Sequence, residues 1–262
     1  MSISIFGLLA VLAIARTASG HVVPSVDDNN RYLKLAPLGD RVRIAYTVFF
    51  GDNPGRLERQ SIDADRDGQI SEAEAHAFGD KLAAQVAAGL EVEVDGVTAP
   101  VTWSEVDVGM GTPAVDAGAF SIDLVTYACF AQARGRHHVR VHDRFRVPHA
   151  GETEVKVEDS PGVTVERARV GAADAPDYDY KFVGPGGPLS DDGLDLTFVA
   201  GDQAAVVADG VCDGGGAKVS DPQRAGDGSQ RRGVILGAIG GVAMLVVAGG
   251  LLRARAKSRV RR

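Results

Sequence analysis

The chain has 262 residues, 45% of them hydrophobic and 24% charged, a composition close to the globular average that excludes a disordered or collagen-like protein. Of its 28 Lys and Arg residues, one precedes position 21 and eight follow position 230, so residues 21–230 carry 19 basic side chains against all 35 acidic ones, a net charge of −16. A surface this acidic repels nucleic acid and anionic lipid, which excludes a nucleic-acid-binding role and tolerates cations.

In chain order, residues 1–20 read as a signal peptide. Ile3–Ala15 is a short apolar run and Ala18-Ser19-Gly20 supplies the small-x-small cleavage pattern. Its first residues lack Lys or Arg, and an uncleaved anchor is the alternative. Cleavage after Gly20 leaves His21 at the mature N-terminus. Arg41–Val48 alternates polar and apolar with period two, as a half-buried strand does. Glu91–Val94, the Asp95-Gly96 turn and Val97–Trp103 read as a hairpin. Further strands are expected at Phe120–Ala131, His137–Val147, Thr153–Val157, Val163–Val170 and Leu194–Ala200, at intervals typical of a sandwich. Asp174–Asp192, rich in Asp, Gly and Pro, reads as a long loop.

One helix is clear. Over Ser71–Leu90, Phe78, Leu82, Val86 and Leu90 fall four apart with Ala75, Ala83 and Ala87 beside them, an apolar face that must pack on something. A shorter helix at Gly55–Ser61 has only a thin apolar pattern. The expected fold is mainly β: an antiparallel β-sandwich in a 21–208 ectodomain, with an α-helical insertion at 54–90.

Residues 209–232 form a Gly-rich linker. The 20 residues from Gly233 to Leu252 carry no charged side chain, long enough as a transmembrane helix to cross about 30 Å of hydrocarbon. The basic tail at 253–262 then lies in the cytoplasm by the positive-inside rule. The two ends together predict a single-pass cell-envelope protein with an exported N-terminal domain. Gly233, Gly237 and Gly241 have the four-residue spacing that lets two such helices approach as a homodimer, although glycine is also common in membrane helices. A surface-sorting signal, with the anchor removed during attachment, is the rival reading of the same tail.

Chemistry concentrates in residues 63–74, Asp-Ala-Asp-Arg-Asp-Gly-Gln-Ile-Ser-Glu-Ala-Glu. Ca²⁺ is a hard cation taking about six to eight oxygens. Asp63, Asp65 and Asp67 offer carboxylates at alternate positions, Gln69 its backbone carbonyl, Ser71 a direct or water-mediated oxygen, and Glu74 two oxygens from the first turn of the helix. Gly68 permits the sharp turn, and Ile70 is the apolar residue that anchors such a loop by a short β contact. The stretch resembles an EF-hand calcium loop. No second loop follows, and sensor EF-hands work in pairs. The expectation is therefore one structural Ca²⁺ locking the insertion onto the sandwich.

Histidines offer a second metal chemistry. A mature His21 presents an amine and an imidazole nitrogen, but such a site needs another histidine. His138 and His142 share a strand face about 13 Å apart, at roughly 3.3 Å per residue, too far for one ion. His76, His137 and His149 complete the set. Cys129 and Cys212 either form one disulfide or leave Cys129 as a buried thiol. No nucleophile–base pattern, Walker-type loop or dinucleotide fingerprint is present, so an enzyme is not expected.

A longer and weaker likeness covers residues 21–103. His21 after an export signal, a Tyr32-Leu33-Lys34-Leu35 strand, Asp40–Phe50, the 63–68 loop, a helix and a strand pair follow the order of the extracytoplasmic N-terminal regions of HupE/UreJ-type nickel/cobalt transport proteins. There a many-helix permease follows, where this chain has one span. The resemblance implies at most an accessory role beside a transporter. The sequence thus predicts a calcium-binding, membrane-anchored structural or interaction module with a protein partner in the cell envelope; the alternative is an accessory protein capturing Ni, Co or Cu.

Overall fold

The structure is a computed structural model that describes residues 27–212. Its first hairpin follows from alternation. In β1 (Asn29–Pro37) and β2 (Arg41–Phe50), Leu33, Leu35, Val42, Ile44, Tyr46 and Val48 all turn inward and are buried. Helices α1 (Asp52–Ile62) and α2 (Glu72–Gly89) follow. A second hairpin, β3 (Leu90–Val94) and β4 (Val97–Ala99), turns at Asp95-Gly96 as expected. The chain continues through β5 (Glu105–Gly109), β6 (Phe120–Cys129), β7 (Gly135–Asp143), β8 (Ala150–Val157) and β9 (Val163–Val170). It ends with β10 (Asp179–Val183), α3 (Pro188–Asp191) and β11 (Leu194–Ala200).

The strands form two sheets, one ordered β10-β8-β1-β2-β6-β5 and the other β4-β3-β7-β11-β9. Their inward residues meet in one hydrophobic core, to which the helices add Ile62, Leu82, Ala83 and Val86. The protein is therefore mainly β. A buried polar clasp joins the sheets: Arg31 of β1 lies 3.0 Å from Asp143 of β7, and the Tyr46 hydroxyl of β2 donates to the same carboxylate at 2.8 Å. Removing one partner of such a buried pair costs about 3–5 kcal/mol.

Two expectations are corrected, and one strand is added to those expected. The sheets are not wholly antiparallel, because β1 pairs with β8 in parallel while pairing with β2 antiparallel. Period-two alternation sets which face is buried but not strand direction, which depends on packing far along the chain. The 174–192 stretch is not a single loop, since it holds β10, an edge strand on β8, and the short α3. Finally, β5 occupies the opposite edge of that sheet, beside β6, between two expected strands.

Cys129 and Cys212 form a disulfide across a sequence separation of 83 residues. Close by, the fully buried Arg41 guanidinium lies 2.8 Å from Asp40 and 2.8 Å from Asp209, fastening the 204–212 segment to the start of β2. No helix among the described residues is long and apolar enough to cross a membrane; the expected signal peptide at 1–20, His21, most of the expected linker and the span expected at 233–252 lie outside the described residues.

Candidate metal centre

Two helices deliver the 63–74 loop. The apolar face of α2 carries Leu82, Ala83 and Val86 into the core, and Phe78 joins Phe50 and Phe120 in a ring cluster with centroids 4.5–6.0 Å apart. The Trp103 indole donates to the Ala83 carbonyl at 2.8 Å, which fixes the helix against the strand connection. Its N-terminus is closed by a capping box: Ser71 Oγ accepts from the Glu74 amide and Glu74 accepts from the Ser71 amide.

Helix α1 is held differently, and that explains its thin apolar pattern. Arg59 is fully buried and, among the described residues, bonds no carboxylate. Its guanidinium donates instead to the carbonyls of Gly118 (3.0 Å), Thr112 (2.9 Å), Ala114 (3.1 Å) and Met110, and it lies over the Phe120 ring. Burial lowers its pKa below the usual arginine value. Polar bonds to one segment, residues 110–119, thus do for α1 what an apolar stripe does for α2.

Between the helices the chain turns sharply. Gly68 has φ +84° with open space where a Cβ would stand, and Arg66 also sits at positive φ (61°). The turn is stitched by carboxylates accepting backbone N–H bonds. Asp63 accepts from the amides of Asp67 (3.2 Å) and Gly68 (3.1 Å), Asp65 from Asp67 (3.1 Å), and Asp67 from Gln69 (2.7 Å). These bonds draw the acidic side chains to one side of the loop. Carboxylate oxygens of Asp63, Asp65 and Asp67 lie within 4.8 Å of one another, with Asp63 buried and the other two exposed.

The remaining sequence candidates lie on the same loop but outside that triplet. Glu74 reaches back to the Ala64 amide at 2.7 Å and accepts from the Ser71 hydroxyl at 2.8 Å. The Ser71 amide and hydroxyl and the Ala64 amide hold its pKa down, from an ordinary 4.5 to about 2. Ser71 is therefore engaged in the cap. The side-chain amide of Gln69 donates to the Gly68 carbonyl, and its backbone bridges Ala114. The Ile70 amide donates to the Pro113 carbonyl at 2.7 Å, and the Val115 amide donates to the Gly68 carbonyl at 3.1 Å. The β contact anticipated at Ile70 is present, with a partner that sequence reasoning missed.

An all-oxygen donor set with three converging carboxylates suits a hard divalent cation far better than Zn²⁺ or Cu²⁺. The histidines are dispersed by comparison. His137 is buried, with Nδ1 2.9 Å from Asp95 and Nε2 3.1 Å from the Arg134 carbonyl. His138 faces Asp195 at 3.4 Å, while His76 and His149 are exposed. Among the described residues, no three His, Cys, Asp or Glu side chains other than the aspartate triplet converge closely enough to share an ion. No protein-family model matches the chain, and the comparison with curated proteins gives no match.

Proposed function

We propose that residues 63–74 bind one Ca²⁺ and that the ion fastens the helical insertion to the sheets of a cell-envelope structural module. The observation that carries this reading is the convergence of Asp63, Asp65 and Asp67 within 4.8 Å on a loop whose sixth residue, Gly68, has positive φ. Three like charges this close repel unless a cation lies among them. Asp63, Asp65, Asp67, the Gln69 carbonyl, Ser71 and Glu74 would hold the ion. Glu74 accepts from the Ser71 and Ala64 amides, bonds that it would exchange for the metal on binding.

The ion supplies fixed positive charge and cross-links the end of α1 to the start of α2. The chain's own residues do the rest: the capping box aligns α2, and Arg59 and the Ile70 contact seat the loop against residues 110–119. The disulfide between Cys129 and Cys212 suits an oxidising compartment, which supports export of this body, with residues 233–252 as its membrane anchor.

Extracellular modules with such loops have dissociation constants of about 10⁻⁴–10⁻³ M. At about 10 mM Ca²⁺ the ion then stabilises the fold by roughly 1.4–2.7 kcal/mol. Thermal unfolding with Ca²⁺ and with chelator reads this directly. An unchanged midpoint in a protein that binds the ion would refute the fastening role.

A further inference from the structure

We propose that residues 110–119 take the place of a second EF-hand loop, so that calcium binding at 63–74 and closure of the 110–119 segment are one cooperative event. This rests on the calcium reading for its trigger and on separate geometry for its linkage.

The segment joins the edge strand β5 to its neighbour β6 and is gripped from two sides. One face of α1 holds it through residues three and four apart. Asp52 accepts from the Ala119 amide at 3.0 Å. Gly55 packs so closely that a Cβ there would stand 2.9 Å from the Gly118 carbonyl oxygen. Arg59 binds four carbonyls of the segment. The calcium loop holds it from the other side, through the Ile70–Pro113 and Val115–Gly68 hydrogen bonds and the Gln69–Ala114 bridge. In paired EF-hands the partner loop makes this short β contact; here a stretch with a single carboxylate, Asp116, and no calcium-loop spacing makes it.

Arg59 concentrates the linkage in one side chain, since a single guanidinium holds four carbonyls of the segment. Among the described residues it bonds no carboxylate, so while buried it depends on those carbonyl dipoles. If the segment swings out, the cation exchanges all four acceptors for water together. The Arg59 backbone carbonyl also accepts from the Asp63 amide at 3.1 Å, so the residue that clamps the segment adjoins the first acidic residue of the loop. Without an ion, repulsion among the three aspartates favours a wider loop, which pulls on Gly68 and Ile70 and through them on the segment. With an ion that repulsion becomes attraction, and both parts close.

The test is amide hydrogen exchange on the full chain in detergent, with about 10 mM Ca²⁺ and with chelator, alongside calorimetry. Opening of a linked unit is suppressed by the factor one plus ligand concentration over Kd, about 10–100-fold here. The expected result is slowing of that size at both 63–74 and 110–119. Slowing at 63–74 alone overturns the linkage and leaves the calcium site standing. Calcium heat with no slowing at either stretch also overturns the linkage. Absence of both heat and slowing overturns the calcium reading, and the linkage with it. Arg59→Lys, which keeps the charge but loses the planar fork, should in chelator speed exchange at 110–119 and at 63–74 by the same factor, because the two stretches open as one unit. Faster exchange at 110–119 alone contradicts the proposal.

Discussion

Replacing Arg59 with methionine tests whether α1 is held by its buried guanidinium. Methionine keeps most of the stem and removes every donor. The loss is smaller than four bonds suggest, because the carbonyls of Met110 and Ala114 keep backbone donors, Thr112 N and Ala117 N, and Thr112 itself is exposed to water. Gly118 is left without the donor at 3.0 Å that its carbonyl now has. An orphaned acceptor costs about 1–3 kcal/mol, and the loosened segment adds to that, while the variant recovers the desolvation cost of a buried cation. With the loosened segment and the recovered desolvation acting in opposite directions, the orphaned acceptor sets the scale, a loss of about 1–3 kcal/mol. For a body of this size each kcal/mol shifts the midpoint by about 2–4 °C, so the Arg59→Met midpoint falls by roughly 2–12 °C. The assay is circular-dichroism melting in chelator, with Arg56→Met as control. Arg56 is exposed on the same helix, and its replacement changes stability by no more than about 0.5 kcal/mol. An Arg59→Met midpoint within about 2 °C of the parent would show that the four-carbonyl socket does not hold the helix.

The Glu74 carboxyl, held at about 2 against an ordinary 4.5, stabilises the folded state when ionised. That contribution is fully present above pH 4.5 and disappears as pH falls from there towards 2; in chelator, the stability gap between the parent and Glu74→Gln should close over that interval, and a gap independent of pH contradicts the assignment. The Cys129–Cys212 bond closes a loop spanning 83 positions, so its reduction, or the Cys129→Ser/Cys212→Ser pair, lowers stability by about 2–4 kcal/mol in urea unfolding. An unchanged urea midpoint shows that the Arg41–Asp209 clamp suffices without it.

Much of the β architecture was legible because it is written in short-range alternation. Val163–Val170 and Leu194–Ala200 form strands with the expected bounds, and Asp95-Gly96 turns the expected hairpin. The acidic loop at 63–74 was legible for a similar reason, since the carboxylates of Asp63, Asp65 and Asp67 that converge there lie within five residues and need no distant partner. The Ser71-x-x-Glu74 capping box was present in the same letters and went unread beneath the ligand pattern. What local pattern does not encode is pairing between remote segments. The parallel contact of β1 with β8 arises across more than 100 residues, and nothing in Tyr32-Leu33-Lys34-Leu35 specifies strand direction. Helix α1 was read as thin because its anchor is a cation, and no periodicity of apolar residues announces a buried arginine. Residues 110–119 carry no metal-ligand motif, so their contact with the 63–74 loop emerges only when Gln69 and Ala114 are seen as neighbours.

The most direct measurement is calorimetric titration of Ca²⁺ into the chain and into Asp63→Asn, which removes one charge while keeping an oxygen for one of the two loop N–H bonds that Asp63 accepts. The account predicts one ion per chain with a dissociation constant of about 10⁻⁴–10⁻³ M, and a variant whose binding is at least about tenfold weaker, or some 1.4 kcal/mol. No heat with millimolar calcium, or identical binding by the variant, contradicts it.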